Sequence, residues 1–247
     1  MKNLTHTLAV TIGLAGMVCL PSEAHAVLSK FLATGTAGGS PVSSTADFTT
    51  SNGQLVLTLQ NTTVHTANAG QLLTGVRFTL APTPGSPATL TTATAIPRNI
   101  DAAGNYVDGP SQSILGTWES GVSGGVYQLD FNPNAEFGIV GPADGETATI
   151  AGNYSLANGS ISGNPGHNPF TAKSATFTLS SLGITDTTGI TGVTFIYGTA
   201  LSTLIPGTPG TPTPPPPSSV PEPSAVGFGL AILGACGTTR RRKMSVR

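Results

Sequence analysis

Between residues 46 and 199 the chain returns again and again to a period of two. In QLVLTLQN, Leu55, Leu57 and Leu59 alternate with Val56, Thr58 and Gln60, and in GVRFTL, Val76, Phe78 and Leu80 alternate with Arg77 and Thr79. VYQLDF (Tyr127, Leu129, Phe131), SATFTLSS (Ala175, Phe177, Leu179) and GVTFIYGT (Val193, Phe195, Tyr197) repeat the pattern. Successive side chains of a strand point to opposite faces, so each stretch predicts a strand with one face in a core and one in water. APTPGSP, DAAGN, NPNAEFG and GNPGHNP lie between them, and their Gly, Pro, Asn and Asp residues favour turn conformations. After residue 26 no convincing long amphipathic helix stands out. The expectation is an all-β fold, an antiparallel two-sheet β-sandwich of about eight to eleven strands over residues 27–205, with residues 99–112 as an extended loop. No fixed-period repeat argues for a solenoid or propeller.

Charge is sparse and unevenly placed. Of 10 Lys and Arg among 247 residues, Lys2 stands at the start and Arg240, Arg241, Arg242, Lys243 and Arg247 at the end. Within residues 27–205, Lys30, Arg77, Arg98 and Lys173 face nine carboxylates, a net charge of about −5. Nucleic acid is therefore not an expected partner, because phosphate binding needs clustered cations.

The first 26 residues have the layout of a secretory signal helix. Lys2 is the basic start, residues 8–20 are apolar, and Ala24-His25-Ala26 is a small-x-small cleavage site. Signal peptidase would leave Val27 as the first residue. Cys19 falls in this signal and Cys236 in the apolar stretch near the C-terminus, so the domain between them has no disulfide or cysteine metal site available.

The other end is organised just as clearly. Residues 206–219 are rich in proline, which favours a semi-rigid polyproline spacer; with Val220, that run would extend about 45 Å at ~3.1 Å per residue. Residues 220–247 then hold Val220-Pro221-Glu222-Pro223, an apolar stretch from Ala225 to Gly237 that reads as a short hydrophobic helix, and the basic block Arg240-Arg241-Arg242-Lys243. The apolar stretch is shorter than the roughly 20 residues that span a bilayer comfortably, and the cations behind it would stay cytoplasmic. Motif, helix and basic stop in this order resemble the PEP-CTERM sorting signal of Gram-negative bacteria, from which MSVR after the basic block departs. The resemblance implies processing by exosortase, a membrane-embedded cysteine transpeptidase. It further implies an inner-membrane precursor and a destination at the outer surface or in the extracellular matrix of an exopolysaccharide-producing cell. A tail kept as a plain membrane anchor is the alternative. More loosely, ADFTTSNGQLVLTLQNT, LLTGVRFTL, FGIVGPADG and VTFIYGT are similar to secreted all-β domains that precede such tails, a group without assigned activity.

Candidate chemistry in the domain is thin. GVSGG matches G-x-S-x-G at Ser123, but a strand follows it where the hydrolase motif needs a helix, so a hairpin is the plainer reading. His65 and His167 are the only histidines after residue 26 and neither has a ligand spacing, so no metal centre or cofactor is expected from them. Asp101, Asn105 and Asp108, or Asp144 and Glu146, offer oxygens to a structural calcium and equally to simple turns. Trp118, with Glu119, Tyr106 and Tyr127 nearby, is the candidate ligand-binding platform for a sugar, although alternation puts Trp118 with Ile114 and Gly116 on a core face. Glu119, Asp130 and Glu136 are candidate acids or bases for glycoside hydrolysis, with nothing in the sequence to place two of them across a cleft. The reading that follows is a non-enzymatic exported surface or matrix protein. A carbohydrate-binding module acting on exopolysaccharide is the first alternative, and a secreted hydrolase using Ser123, His167 and a carboxylate the second.

Overall fold

The first described strand opens at Val27. The computed structural model describes residues 26–131 and 137–212. In chain order the strands are β1 (Val27–Ala37), β2 (Ser40–Ser51), β3 (Gln54–Asn61), β4 (Leu73–Ala81), β5 (Thr89–Ile100), β6 (Tyr106–Asp108) and β7 (Gln112–Ser113). They continue as β8 (Trp118–Ser123), β9 (Val126–Phe131), β10 (Ile139–Val140), β11 (Phe170–Ser180), β12 (Gly189–Tyr197), β13 (Thr203–Pro206) and β14 (Thr208–Gly210). A single 3₁₀ turn at Ala69–Gln71 is the only helical element among the described residues. Each period-two stretch is a strand, and its apolar set is the buried one: Leu55, Leu57 and Leu59 on β3, Val76, Phe78 and Leu80 on β4, Tyr127, Leu129 and Phe131 on β9.

The fourteen strands form one hydrogen-bonded network with the path β13-β12-β4-β10-β11-β3-β2-β1-β14. β9 and β8 branch from β4, and β5 with β6 and β7 branches from β11. One arm, β8-β9-β4-β12-β13, faces the other, β5-β11-β3-β2-β1, in a sandwich-like manner. Phe78 of β4 meets Phe48 of β2 at 5.2 Å between ring centroids, Trp118 of β8 meets Phe177 of β11 at 4.8 Å, and the Tyr197 hydroxyl of β12 lies 2.5 Å from that of Ser44 on β2. Burial, slightly offset by the Ser44 hydrogen bond, pushes the Tyr197 phenol up to about 12.

Two junctions join the arms. β10 pairs antiparallel with β4 and parallel with β11, through Ile139↔Thr171 and Val140↔Ala172. The other junction is a strand that changes sides: β13 pairs with β12, Gly207 turns the chain, and β14 pairs with β1. A β-carbon on Gly207 would sit 3.0 Å from the Phe195 ring and 3.3 Å from the Val193 carbonyl, so a side chain at the corner would press on its buried neighbours.

Four expectations are corrected here. Fourteen strands stand where about eight to eleven were expected, and the two junctions make them one network rather than two separate sheets. The sheet is mixed rather than purely antiparallel, because the long connection of residues 141–169 returns the chain to β11 in the direction of β10, as a parallel pairing requires. Residues 99–112 are not one loop: β6 folds back on the end of β5 with Asn99↔Val107 and Ile100↔Tyr106 paired, and Gln112 opens β7. Residues 206–210 are not spacer but strand. Pro206 pairs with Thr194 and Pro209 with Phe31, at sheet margins that tolerate a residue without an N–H. The chain divides into two units after Pro212, of which only the first has described residues.

The connection of residues 141–169 has little regular structure of its own and is held down by one buried cation. Arg98 of β5 is 0% exposed and donates to both oxygens of Asp108 at 2.7 Å, to Glu146 at 2.9 and 3.1 Å, and to the Tyr154 hydroxyl at 2.9 Å. Its guanidinium lies 3.7 Å from the centroid of the Tyr106 ring. Lys173 of β11 and the Ala143 N–H both donate to Glu146 at 2.8 Å. Burial alone would raise the Glu146 carboxyl, but hydrogen bonds from Arg98, Lys173 and Ala143 outweigh it and bring it down to about 2.

Candidate functional site

β9 is the middle of a three-stranded surface, and alternation sorts its side chains cleanly. Tyr127, Leu129 and Phe131 enter the core, which leaves Val126, Gln128 and Asp130 outside. The register with β4 and β8 then sets three rows: Gly75, Asp130 and Glu119; Arg77, Gln128 and Gly121; Thr79, Val126 and Ser123. Arg77 Nε donates to Gln128 Oε1 at 2.6 Å, and Gln128 Nε2 donates to Asp130 Oδ2 at 2.5 Å. One cation, one amide and two carboxylates therefore stand side by side on a surface built by rigid strands.

Two glycines shape this surface. A β-carbon on Gly75 would come within 2.9 Å of the Asp130 β-carbon and 2.7 Å of the Leu129 carbonyl, so only glycine leaves room for Asp130 in that row. Above Gly121 there is open space, with no atom within 4 Å of a β-carbon placed there. The result is a depression of about 580 Å³ lined by Arg77, Glu119, Gly121, Ser123, Gln128 and Asp130 among others. Burial raises the Asp130 carboxyl above its ordinary value, the Gln128 hydrogen bond opposes that, the Glu119 charge adds to it and Arg77 offsets it in part.

No protein-family model matches the chain, and no curated protein or solved structure is detectably similar to it. The surface is therefore defined by its own chemistry. A carboxylate only accepts hydrogen bonds, a guanidinium only donates them, and an amide does both. Glu119 and Asp130, on directly opposed residues, hold their carboxylates on the same side of the sheet. A glycosidase places its two carboxyl groups on either side of a scissile bond. The alignment of Glu119 with Asp130 presents polar groups to a ligand and by itself assigns no reaction.

The other sequence candidates are placed elsewhere. Trp118 is 1% exposed, packs on Phe177 and donates its indole N–H to the Phe137 carbonyl at 3.3 Å, which corrects its reading as a ligand platform: its face of β8 is the core face. Tyr127 is buried and stacked on Phe78, and Tyr106 lies over Arg98. Ser123 ends β8 before Gly124 and Gly125, whose positive φ values of 59° and 83° make a hairpin turn and not a strand-to-helix elbow. His167 sits on the residue 141–169 connection, its Nδ1 2.8 Å from the Ser160 carbonyl and its ring beside Phe170. His65 lies 2.5 Å from Asp144. The depression brings Ser123 to Glu119 and Asp130 but includes neither histidine.

The carboxylates proposed for calcium have other partners. Asp101 accepts from the Asn105 side chain and from the Ala103 and Asn105 N–H groups, and these bonds, the Asn105 side chain foremost, lower its carboxyl. Asp108 and Glu146 hold Arg98, and Asp144 holds His65 and Ser155. Among the described residues no group of three or more His, Cys, Asp and Glu is disposed to hold a metal ion. Glu136, Ala24, Val220, Pro221, Glu222, Pro223 and Arg240 to Lys243 lie outside the described residues, while Ala26 is exposed directly before β1. Among the described residues no helix is long and apolar enough to cross a membrane; the apolar stretch from Ala225 lies outside them.

Arg77, Gln128, Gly75 and Gly121 were not singled out by sequence reasoning. Their outward positions were legible from alternation on each strand. What brings them together is the β4–β9–β8 register, for which no single strand carries a signal.

Proposed function

We propose that this chain is an exported, non-enzymatic β-sandwich domain of the cell surface or extracellular matrix. Signal peptidase delivers it at one end, and a PEP-CTERM-type tail acted on by exosortase sorts it at the other. One observation supports the reading furthest: β1 is paired on β2 from Val27, the residue expected to follow signal cleavage. Cleavage after Ala26 leaves every pairing of β1 in place, from Val27↔Thr50 to Ala37↔Ser40, and cleavage near Pro221 leaves β14 on β1. The Arg77, Glu119, Gln128 and Asp130 groups lining the β4–β9–β8 surface support a binding role.

The test is the intact mass of cell-associated and released protein from a bacterium that carries an exosortase. A species that starts at Val27 and ends in the region of Pro221-Glu222-Pro223 is expected. A mature species that keeps Arg247 would make the tail an ordinary membrane anchor and overturn the sorting half of the proposal.

A further inference from the structure

We propose that the outer surface of β4–β9–β8 binds a neutral saccharide, with Arg77, Glu119, Gln128 and Asp130 as the hydrogen-bonding groups. The inference rests on reading this surface as one that binds rather than cuts, and it is independent of how the protein is sorted.

The donor and acceptor inventory selects the ligand class. Each sugar hydroxyl donates one hydrogen bond and accepts others, so neighbouring hydroxyls are matched by planar side chains that present two polar atoms at once. Four such groups stand in two adjacent rows here. Arg77 uses Nε on Gln128, and its two terminal nitrogens make no hydrogen bond to a described residue. Asp130 takes the Gln128 amide on one oxygen, and Glu119 stands opposite it on β8. Gly121 removes the side chain that would otherwise fill the middle of the surface, and Val126, 39% exposed, gives apolar area for the C–H face of a ring.

Charge narrows the class further. Two carboxylates against one guanidinium repel phosphate, sulfate and uronic acids. A bare metal ion is a poor fit, because a guanidinium stands among the donors and no metal-binding group is found among the described residues. A volume of about 580 Å³ lies within the range of small-ligand sites, roughly 300–1,000 Å³, and takes a short saccharide rather than a protein surface.

The site is held by the fold itself. The inner side of β9 is locked by Tyr127, Leu129 and Phe131, all at most 3% exposed, so the outer groups are presented with little freedom to reorganise. Among the described strands β8 pairs with β9 alone, at the margin of its arm.

The experiment uses the full-length chain on an array of immobilised neutral and acidic saccharides, followed by titration of whichever neutral saccharide is retained. Gly121→Leu is the decisive variant, since it fills the depression where no atom lies within 4 Å and leaves the core alone. Gln128→Ala is the second, and removes the central amide. Thermal unfolding of both confirms that they remain folded. The expected result is retention of a neutral saccharide by the wild-type chain and a loss of about tenfold or more in each variant. Retention of no neutral saccharide, retention of acidic ones alone, capture of peptides alone, or binding unchanged in folded Gly121→Leu would each overturn the site. Release of cleaved sugar from a bound saccharide would overturn the non-enzymatic reading beneath it, so the two failures are distinguishable.

Discussion

Arg98 shows how much a single buried charge determines in a chain with so few. Replacing it with methionine takes the cation from Asp108 and leaves Glu146 with Lys173 alone, and removing one partner of a buried ion pair typically costs about 3–5 kcal/mol. We expect Arg98→Met to lower the unfolding free energy by that order, measured by urea unfolding at pH 7. Acid acts on the same cluster. The Glu146 carboxyl sits at about 2 in the fold against an ordinary 4.5, so its stabilising contribution is complete above about 4.5 and is lost as pH falls toward 2. Unfolding midpoints taken across that window should fall in the wild type and fall less steeply in Glu146→Gln. Asp130 has the opposite sign: a carboxyl raised by burial is held charged at neutral pH at some expense. Asp130→Asn should therefore raise the unfolding temperature while weakening saccharide binding, a trade typical of binding residues. Of these residues, Trp118 was legible as core from the alternation that places it with Ile114. Arg98 was not, because its partners are 10 and 48 positions away and an arginine on a strand reads equally well as solvent-facing.

At the scale of the element, strands with an alternating apolar set were legible, while β1, β2 and β5, although among the longest, and the short strands were not. β3, β4, β9, β11 and β12 each carry enough alternating residues to show their period, whereas β6, β7, β10 and β14 hold two or three residues and show none. These short strands are the ones that make the network continuous, since β10 joins the arms at one place and the β13–β14 corner at the other. Proline content hid β14, because Pro206 and Pro209 suggest a spacer wherever their pairing partners are unknown. The corner offers a direct contrast between two glycines. Gly207→Ala forces a β-carbon against the buried Phe195 ring and the Val193 carbonyl, and overpacking of this kind costs about 1–3 kcal/mol. Gly121→Ala meets nothing and gains the advantage of alanine over glycine within a strand, about 0.5–1 kcal/mol. Urea unfolding of the two variants should move in opposite directions, and a Gly207→Ala chain as stable as the wild type would mean that the corner is looser than its contacts indicate.

Across the whole molecule, the way the chain ends and the place where it binds are related by topology. β1 and β14 lie side by side, with Lys30 opposite Gly210, so the first and last described strands share one margin. From β13, which leads into that margin, the arm runs through β12, β4 and β9 to β8, and four strand spacings of about 4.8 Å carry it roughly 19 Å away. A domain held through residues beyond Gly210 is thus gripped at the margin farthest along this arm from Glu119, Gly121 and Ser123. Surface display and ligand binding are then compatible without any rearrangement. The consequence is measurable by immobilising the full-length chain in two ways. Attachment through its C-terminal residues should leave the affinity for the retained saccharide equal to that of the chain in solution. Attachment through Ser123→Cys, in a chain whose Cys19 and Cys236 are replaced by serine, should abolish binding, because the linker rises from the rim of the depression. Equal binding in both orientations would place the ligand elsewhere on the domain, whatever the array had shown.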